Sequence, residues 1–259
     1  MTGTITTPDS DRATANFGFR EVEPDAKPGL VREVFNSVAP RYDLMNDLMS
    51  GGLHRLWKAA MIDWIRPRPG ERYIDVAGGT GDIASRIAER LGRDCGAAVT
   101  ICDINLEMMR QGRNRMIDRG RLGGIDWVCG DAESLPFPDA SFDAYTIAFG
   151  LRNVTDIGRA LAEARRVLKP GGRFACLEFS RVVVPGLDRL YDTYSFSVLP
   201  RLGKVFAGDA DAYRYLAESI RRFPSQDDLL GRLSDAGLGQ AQCRNLSGGI
   251  VALHTGWRV

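Results

Sequence analysis

The sequence predicts an α/β fold: a mostly parallel seven-stranded sheet with helices on both faces and a helical cap at its N-terminal side. Three observations carry that expectation. From residue 72 onward, short apolar runs alternate with longer amphipathic segments, which is the pattern of βαβ units. The first of those runs leads straight into Gly78-Gly79-Thr80-Gly81, a tight turn between a strand and a helix. Near the C terminus two strand-like runs flank Ser247-Gly248-Gly249, which suits an antiparallel hairpin closing the sheet.

Each element has its own signals. Residues 1–28 begin with a mixture of Thr, Asp and Arg and read as a flexible arm. Residues 29–259 read as a single domain. Its opening part, 29–66, is a helical cap of three short segments: Val31–Val38 before Pro40, Tyr42–Met49 before Gly51-Gly52, and Leu53–Ile65 before Pro67 and Pro69. Strands are expected at Arg72–Ala77, Ala98–Cys102, Ile125–Cys129, Phe142–Phe149 and Arg173–Phe179, with helices at Ile83–Leu91, Leu106–Arg119 and Ile157–Leu168 between them. Pro170-Gly171-Gly172 is a strong helix stop. An insertion over residues 181–224, rich in aromatic and apolar side chains such as Tyr191, Tyr213 and Tyr215, is expected to lie over an acceptor site. A helix at Gln226–Ala236 and strands at Gln240–Leu246 and Ile250–Thr255 complete the chain.

Composition excludes several classes. A net charge of +1 gives no electrostatic case for nucleic acid as a partner. The 5 cysteines are scattered, without a Cys-x-x-Cys pair or a histidine cluster, so neither a disulfide framework nor a metal site is expected. No secretory apolar region opens the chain, and no apolar run approaches the roughly 18 residues of a membrane span. The expected compartment is cytoplasmic, peripheral at most to the inner membrane surface.

The glycine loop is a nucleotide-type cofactor site in outline. Gly79 and Gly81 carry no Cβ, so a ligand can approach the backbone, and Gly78 shares the turn. Asp103, after the second strand, stands where a carboxylate can accept both ribose hydroxyls of a nucleoside. Gly79-x-Gly81-x-x-Ala84 also fits a dinucleotide fingerprint, so the loop alone leaves a nicotinamide-dependent oxidoreductase open. Asp131, in Gly130-Asp131-Ala132-Glu133, can accept from an adenine amino group beside an apolar wall. With Lys169-Pro170-Gly171-Gly172 before the fifth strand, these positions resemble class I methyltransferases, whose fold is Rossmann-like, and the cofactor such a resemblance implies is S-adenosyl-L-methionine.

Tyr42-Asp43-Leu44-Met45-Asn46-Asp47-Leu48-Met49-Ser50 with His54 and Trp57, Phe149-Gly150-Leu151-Arg152-Asn153-Val154, and Arg166 through Ser180 are longer stretches, and they resemble the ubiquinone/menaquinone biosynthesis C-methyltransferase family. Tyr213-Arg214-Tyr215-Leu216-Ala217-Glu218-Ser219-Ile220 and Gly248 through His254 also match, so the resemblance covers the chain from Phe35 onward. It implies methylation of a ring carbon of 2-polyprenyl-6-methoxy-1,4-benzoquinol, of demethylmenaquinol, or of both, with S-adenosyl-L-homocysteine as the second product. Position by position it places cofactor contacts on Thr80, Asp103, Asp131 and Ala132. A further family contact is a Ser where this chain has Ala148, so that contact falls to the backbone.

The chemistry calls for an activated phenol, which ordinarily titrates at about 10. Arg152 stays protonated and is no simple base; it is expected to stabilise the phenolate or an activating water, with Asn153 orienting that oxygen. Tyr42 and His54 come from helices that can fold over the pocket. Each has a plainer reading: Arg152 as a structural ion pair, His54 as a satisfied helix contact, Tyr42 as a packed aromatic. Asp43 and Glu178 read as supporting groups. The polyprenyl quinol implies transient contact with a membrane surface, without a basic amphipathic anchor. A homodimer, or a non-catalytic cofactor-binding subunit of a quinone-biosynthesis complex, is the competing arrangement.

Overall fold

The structure, a computed structural model, describes residues 14–39, 42–92, 98–120, 123–186, 191 and 210–259, with backbone alone at 42–44 and 210. Its centre is a sheet of β3 (Arg72–Val76), β4 (Ala98–Asp103), β5 (Ile125–Cys129), β6 (Phe142–Ala148), β7 (Leu168–Phe179), β8 (Leu238–Leu246) and β9 (Val251–Arg258). The strand order is β5-β4-β3-β6-β7-β9-β8. All neighbours pair in parallel except β9, which runs antiparallel to both β7 and β8. A dinucleotide-binding sheet has six parallel strands in the order 3-2-1-4-5-6 and no antiparallel strand wedged before the last. The order reverses between β3 and β6, so the crevice beyond their carboxyl ends is where a ligand is expected.

Why these runs form strands is visible in β3. Tyr73 packs into one hydrophobic layer, while Ile74 and Val76 pack into the other, the alternation of a pleated strand buried on both faces. The first layer is covered by α3 (His54–Ile65) and α4 (Asp82–Leu91), through Met61, Ile62, Ile65, Ile83 and Ile87. The second is covered by α6 (Ile157–Val167) and α8 (Gln226–Asp235), through Leu161, Val167, Leu229 and Leu233. These apolar positions recur at helical spacing. Helix starts carry side-chain caps: Asn105 for α5 (Leu106–Asp118), Asp156 for α6, and a Ser225–Asp228 capping box for α8.

Several boundaries differ from the sequence expectation. β7 starts at Leu168 rather than Arg173, because Phe142 already pairs with Leu168 before the register shifts at Ala144. The Pro170-Gly171-Gly172 segment therefore lies inside the strand's span rather than ahead of it. The expected hairpin at Ser247-Gly248-Gly249 is present, as a single 3-10 turn between β8 and β9. Much of the apolar insertion, residues 187–190 and 192–209, lies outside the described residues; α7 (Ala210–Arg222) follows it.

The larger correction is at the N-terminal side. Residues 14–28 are not a loose arm. Ala15–Phe17 (β1) and Arg20–Val22 (β2) form a hairpin, and α1 begins at Lys27 and runs to Val38. Phe17 is 6% exposed and stacks on Tyr215 of α7 with ring centroids 4.3 Å apart, and the Phe19 N–H donates to Glu218 at 3.0 Å. The buried ring of Phe17 anchors the hairpin, and Val22 packs against the same hydrophobic cluster. α1 is held over the carboxyl ends of the strands by Lys27 Nζ donating to the Val154 carbonyl at 2.6 Å and by Asn105 Nδ2 donating to Asn36 Oδ1 at 3.0 Å. α2 (Tyr42–Ser50) leads from there to α3.

Phe17→Ala removes the stack and leaves a cavity, so it should cost about 2–4 kcal/mol in urea unfolding. A loss below about 0.5 kcal/mol would mean that the hairpin is a peripheral attachment.

Candidate functional site

The site grows from two short turns at the switch point. β3 is followed by Ala77 with φ +50°, and β6 by Phe149 with φ +57°. Both are left-handed backbone at non-glycine residues, a conformation that costs about 1–2 kcal/mol each. Between them Gly150 passes so close that a Cβ there would meet the Ala77 Cβ at 2.5 Å. The Phe149 turn is pinned by its N–H donating to the Leu177 carbonyl at 2.8 Å. Beyond the two turns a cleft opens, bordered throughout by Val31, Ala77, Asp103, Ile104, Gly150 and Asn153. One lobe reaches Asp131 and Ala132; the other reaches Gly79, Phe35, Met108 and Phe149. Residues of α1 form its roof.

Asp103 is the fixed charge of this cleft. Its Oδ2 accepts from the Gly79 N–H at 2.7 Å and its Oδ1 from the Asn105 N–H at 2.7 Å. Burial pushes its carboxyl above the usual range, while those two backbone donors pull it back. Each oxygen keeps lone pairs beyond its backbone bond. Gly79, at φ +53°, leaves the space in front of the carboxylate open: a Cβ there would meet Met108 at 3.3 Å and Asp103 Oδ2 at 3.9 Å. Asp131 is ordered by accepting from the Glu133 N–H at 2.9 Å and borders the other lobe with Ala132.

The remaining glycines serve the turn rather than the cleft. At Gly78 a Cβ would sit 2.8 Å from Asp75 Oδ2, and at Gly81 it would sit 2.7 Å from Ile101. Gly81 and Thr80 border a separate groove that also holds His54 and Arg86. Ala148 packs against the core and borders neither lobe; its neighbours Phe149 and Gly150 do.

The expected catalytic group divides. Asn153 borders both lobes. Arg152 borders neither lobe. It is 8% exposed, and its Nη1 donates to Glu178 Oε1 and to the Phe149 carbonyl, both at 2.6 Å. The Arg152 N–H adds a bond to Glu178 Oε2 at 3.3 Å. Glu178 is 1% exposed; burial raises its carboxyl, against the pull of the guanidinium. Arg152 and Glu178 thus form a buried ion pair that braces the Phe149–Asn153 turn. His54 is not brought to the cleft either. Its Nε2 lies 3.0 Å from Asp47 Oδ1, and burial and Lys58 lower its pKa. The Tyr42 side chain lies outside the described residues.

One residue of the site, Asp75, and one contact, that of Tyr215 with Asn153, went unread in the sequence. Asp75, in the middle of β3, is fully buried under the glycine loop. Its Oδ1 accepts from Thr146 Oγ1 at 2.9 Å, its Oδ2 has no partner, and burial pushes its pKa up to about 7. An acid inside the apolar run Tyr73-Ile74-Asp75-Val76 was the available signal. Tyr215 of α7 donates its hydroxyl to Asn153 Oδ1 at 3.0 Å. Nothing local to Tyr215 announces that contact. Among the described residues no group of three or more ligand-type side chains could hold a metal ion, and no helix is long and apolar enough to cross a membrane.

Comparison with known proteins fits this geometry. The model of the ubiE/COQ5 methyltransferase family matches residues 17–258. The chain is 56% identical over 246 residues to a ubiquinone/menaquinone biosynthesis C-methyltransferase of Brucella abortus, covering 94% of this chain and 91% of that one. The namesake from Brucella anthropi is also 56% identical, over 94% of this chain and 93% of its own. Among solved structures, a SAM-dependent methyltransferase from Aquifex aeolicus superposes with a TM-score of 0.58 at 16% identity, covering 78% of this chain and 89% of its own. The YcgJ protein of Bacillus subtilis gives 0.55 at 26% identity, over 74% and 73%.

Glu178→Gln leaves the buried Arg152 guanidinium without its counter-charge. It should lower stability by about 3–5 kcal/mol in denaturant unfolding; a loss under about 1 kcal/mol would show that the pair does not brace the turn. Asp75 gives a pH signature. Folded Asp75 keeps its proton to about pH 7, whereas an unfolded aspartate releases it near about pH 4. Its contribution is therefore full below about pH 4 and is lost as the pH rises through about 7. Thermal melts from about pH 4 to 8 should show that fall in the native protein and not in Asp75→Asn; equal falls in both would assign it elsewhere.

Proposed function

The chain belongs to the ubiE/COQ5 methyltransferase family, and from that premise we propose that it transfers a methyl group from S-adenosyl-L-methionine to a ring carbon of a polyprenyl quinol in ubiquinone or menaquinone biosynthesis. It is an S-adenosylmethionine-dependent methyltransferase. The observation that carries the cofactor reading is Asp103. A buried carboxylate, held from behind by two backbone N–H groups and open in front past a glycine, is built to accept a pair of vicinal hydroxyls. The lobe beside it suits a purine: Asp131 can accept from an exocyclic amino group, between the apolar surfaces of Val31, Ile104 and Ala132. The other lobe, with Gly79, Met108, Phe35 and Phe149, suits the amino-acid end and the reacting centre.

The bound cofactor supplies an electrophilic methyl group on a sulfonium. The chain's task is to hold the acceptor carbon in line with it, worth up to about 7–11 kcal/mol in well-aligned cases, and to favour the ionised form of the neighbouring ring hydroxyl. Asn153 is the polar group of the cleft suited to that oxygen, since its side-chain amide can donate to it. Arg152 acts through the backbone: its bonds to Phe149 and Glu178 fix the turn from which Asn153 projects. Phe35 and Phe149 narrow the cleft and exclude water, which strengthens every polar contact inside. The prenyl tail favours lipid, so the substrate is met at a membrane surface, by transient contact.

Quinones extracted from a strain lacking this protein should contain the demethylated precursor, and its ring system names the acceptor. An unchanged quinone profile would overturn the reading. In calorimetric titration Asp103→Ala should weaken S-adenosyl-L-methionine binding by about 2–4 kcal/mol, and NAD should give no heat. An unchanged dissociation constant would remove Asp103 from the site, and tight NAD binding would restore the oxidoreductase reading.

A further inference from the structure

A side-chain amide has two ends of opposite character. Its oxygen accepts and its nitrogen donates, and the terminal torsion of asparagine is broad and nearly two-fold, so the two ends exchange easily unless something distinguishes them. At Asn153 the backbone is already held in place. Its N–H donates to the Gly150 carbonyl at 3.0 Å, which closes the 3-10 turn Leu151–Asn153. The turn is braced by the Arg152 bonds to Phe149 and Glu178. What remains is the direction of the amide, and one contact governs it: the Tyr215 hydroxyl donates to Asn153 Oδ1 at 3.0 Å.

Tyr215 is itself unable to follow a wandering partner. It is 5% exposed, and its ring is stacked on Phe17 at 4.3 Å with an interplanar angle of 23°. Burial raises its pKa, so the hydroxyl keeps the proton that it donates to Asn153 Oδ1, a bond that would be lost if the amide turned its NH2 to the phenol oxygen. With the oxygen held away, the free end of Asn153 is its NH2 group, which donates to no other described residue and belongs to a side chain bordering both lobes of the cleft.

We propose that Tyr215 is a positioning residue for the methyl acceptor: it turns the Asn153 amide so that its N–H groups, and not its oxygen, meet the acceptor's ring oxygen. The proposal rests on the quinol-methylation reading above. It assigns the amide a direction matched to the chemistry. The ring oxygen gains negative charge as its proton leaves, so a pair of N–H donors becomes more favourable toward the transition state, whereas an amide oxygen in the same place would repel it.

The test uses the full chain and a short-tailed demethylated quinol, in Tyr215→Phe, Asn153→Ala and the double variant. Tyr215→Phe should lower the single-turnover methylation rate about tenfold or more, leave the KM for the quinol within about twofold, and leave the S-adenosyl-L-methionine dissociation constant unchanged. In the Asn153→Ala background the same substitution should have no further effect, because the group it orients is gone. A native rate in Tyr215→Phe, or an equal loss in both backgrounds, would overturn the proposal. If Tyr215→Phe does not fold, Asn153→Asp decides: it keeps an oxygen for Tyr215 but offers no N–H to the acceptor, so its rate should fall at least as far as that of Asn153→Ala, and a native rate overturns the assignment. The native protein is measured alongside. Its failure to methylate any quinol would overturn the methylase reading itself, whereas native activity with an insensitive Tyr215 would overturn only the present inference.

Discussion

The passage of Gly150 against Ala77 is the constraint on which the site depends. The loops after two neighbouring parallel strands come within a distance that admits no side chain at position 150. At that approach Ala77 and Phe149 both adopt left-handed backbone. The conformations cost energy locally, and the surrounding hydrogen bonds offset it. In return, the chain leaves β3 in the direction that presents the Gly79 N–H to Asp103, and leaves β6 in the direction that brings Asn153 to the same cleft. Relaxing either turn would separate the two halves of the site. Sites at the reversal point of a parallel sheet owe their depth to such diverging loops.

The electrostatics divide into charges that face the cleft and charges that hold the walls. Asp103 belongs to the first kind, with backbone donors behind it and free lone pairs before it. Arg152 and Glu178 belong to the second. Two opposite charges buried together contribute little net stability, because each gives up its hydration, but removing either exposes the other's full desolvation penalty. A pair of this kind therefore acts as a rigid brace more than as a source of stability. Asp75 is a third kind: a lone buried acid whose second oxygen has no partner and which is held mostly neutral at low pH by its surroundings.

How far the sequence could be read follows from how local each feature is. The strand–turn–helix unit around Gly78–Gly81 and the carboxylate at Asp103 lie in order along the chain, and pattern and spacing expose them. The hairpin from Ala15 to Val22 was missed because its buried aromatic, Phe17, finds its partner on α7 rather than nearby. Arg152 carried two readings, a charge toward the acceptor and a structural ion pair; its counter-charge stands on a separate strand, so the sequence shows the cation without showing that Glu178 is what it pairs with. For His54 the geometry fits the plainer reading of a satisfied contact: the same motif that carries it also supplies Asp47, its partner. The contact between Tyr215 and Asn153 joins two segments that no periodicity connects.

The stack of Phe17 on Tyr215 has a consequence for how the protein is made. Phe17 emerges from the ribosome early, and the helix bearing Tyr215 emerges only after most of the sheet has been synthesised. A contact between residues so far apart in sequence carries a large loop-closure entropy and forms late unless the intervening core is already in place. The hairpin waits undocked until α7 has been made, and only then can it fix the tyrosine. That docking also completes the cleft, so chains interrupted before α7 would carry the cofactor loop without a finished acceptor site.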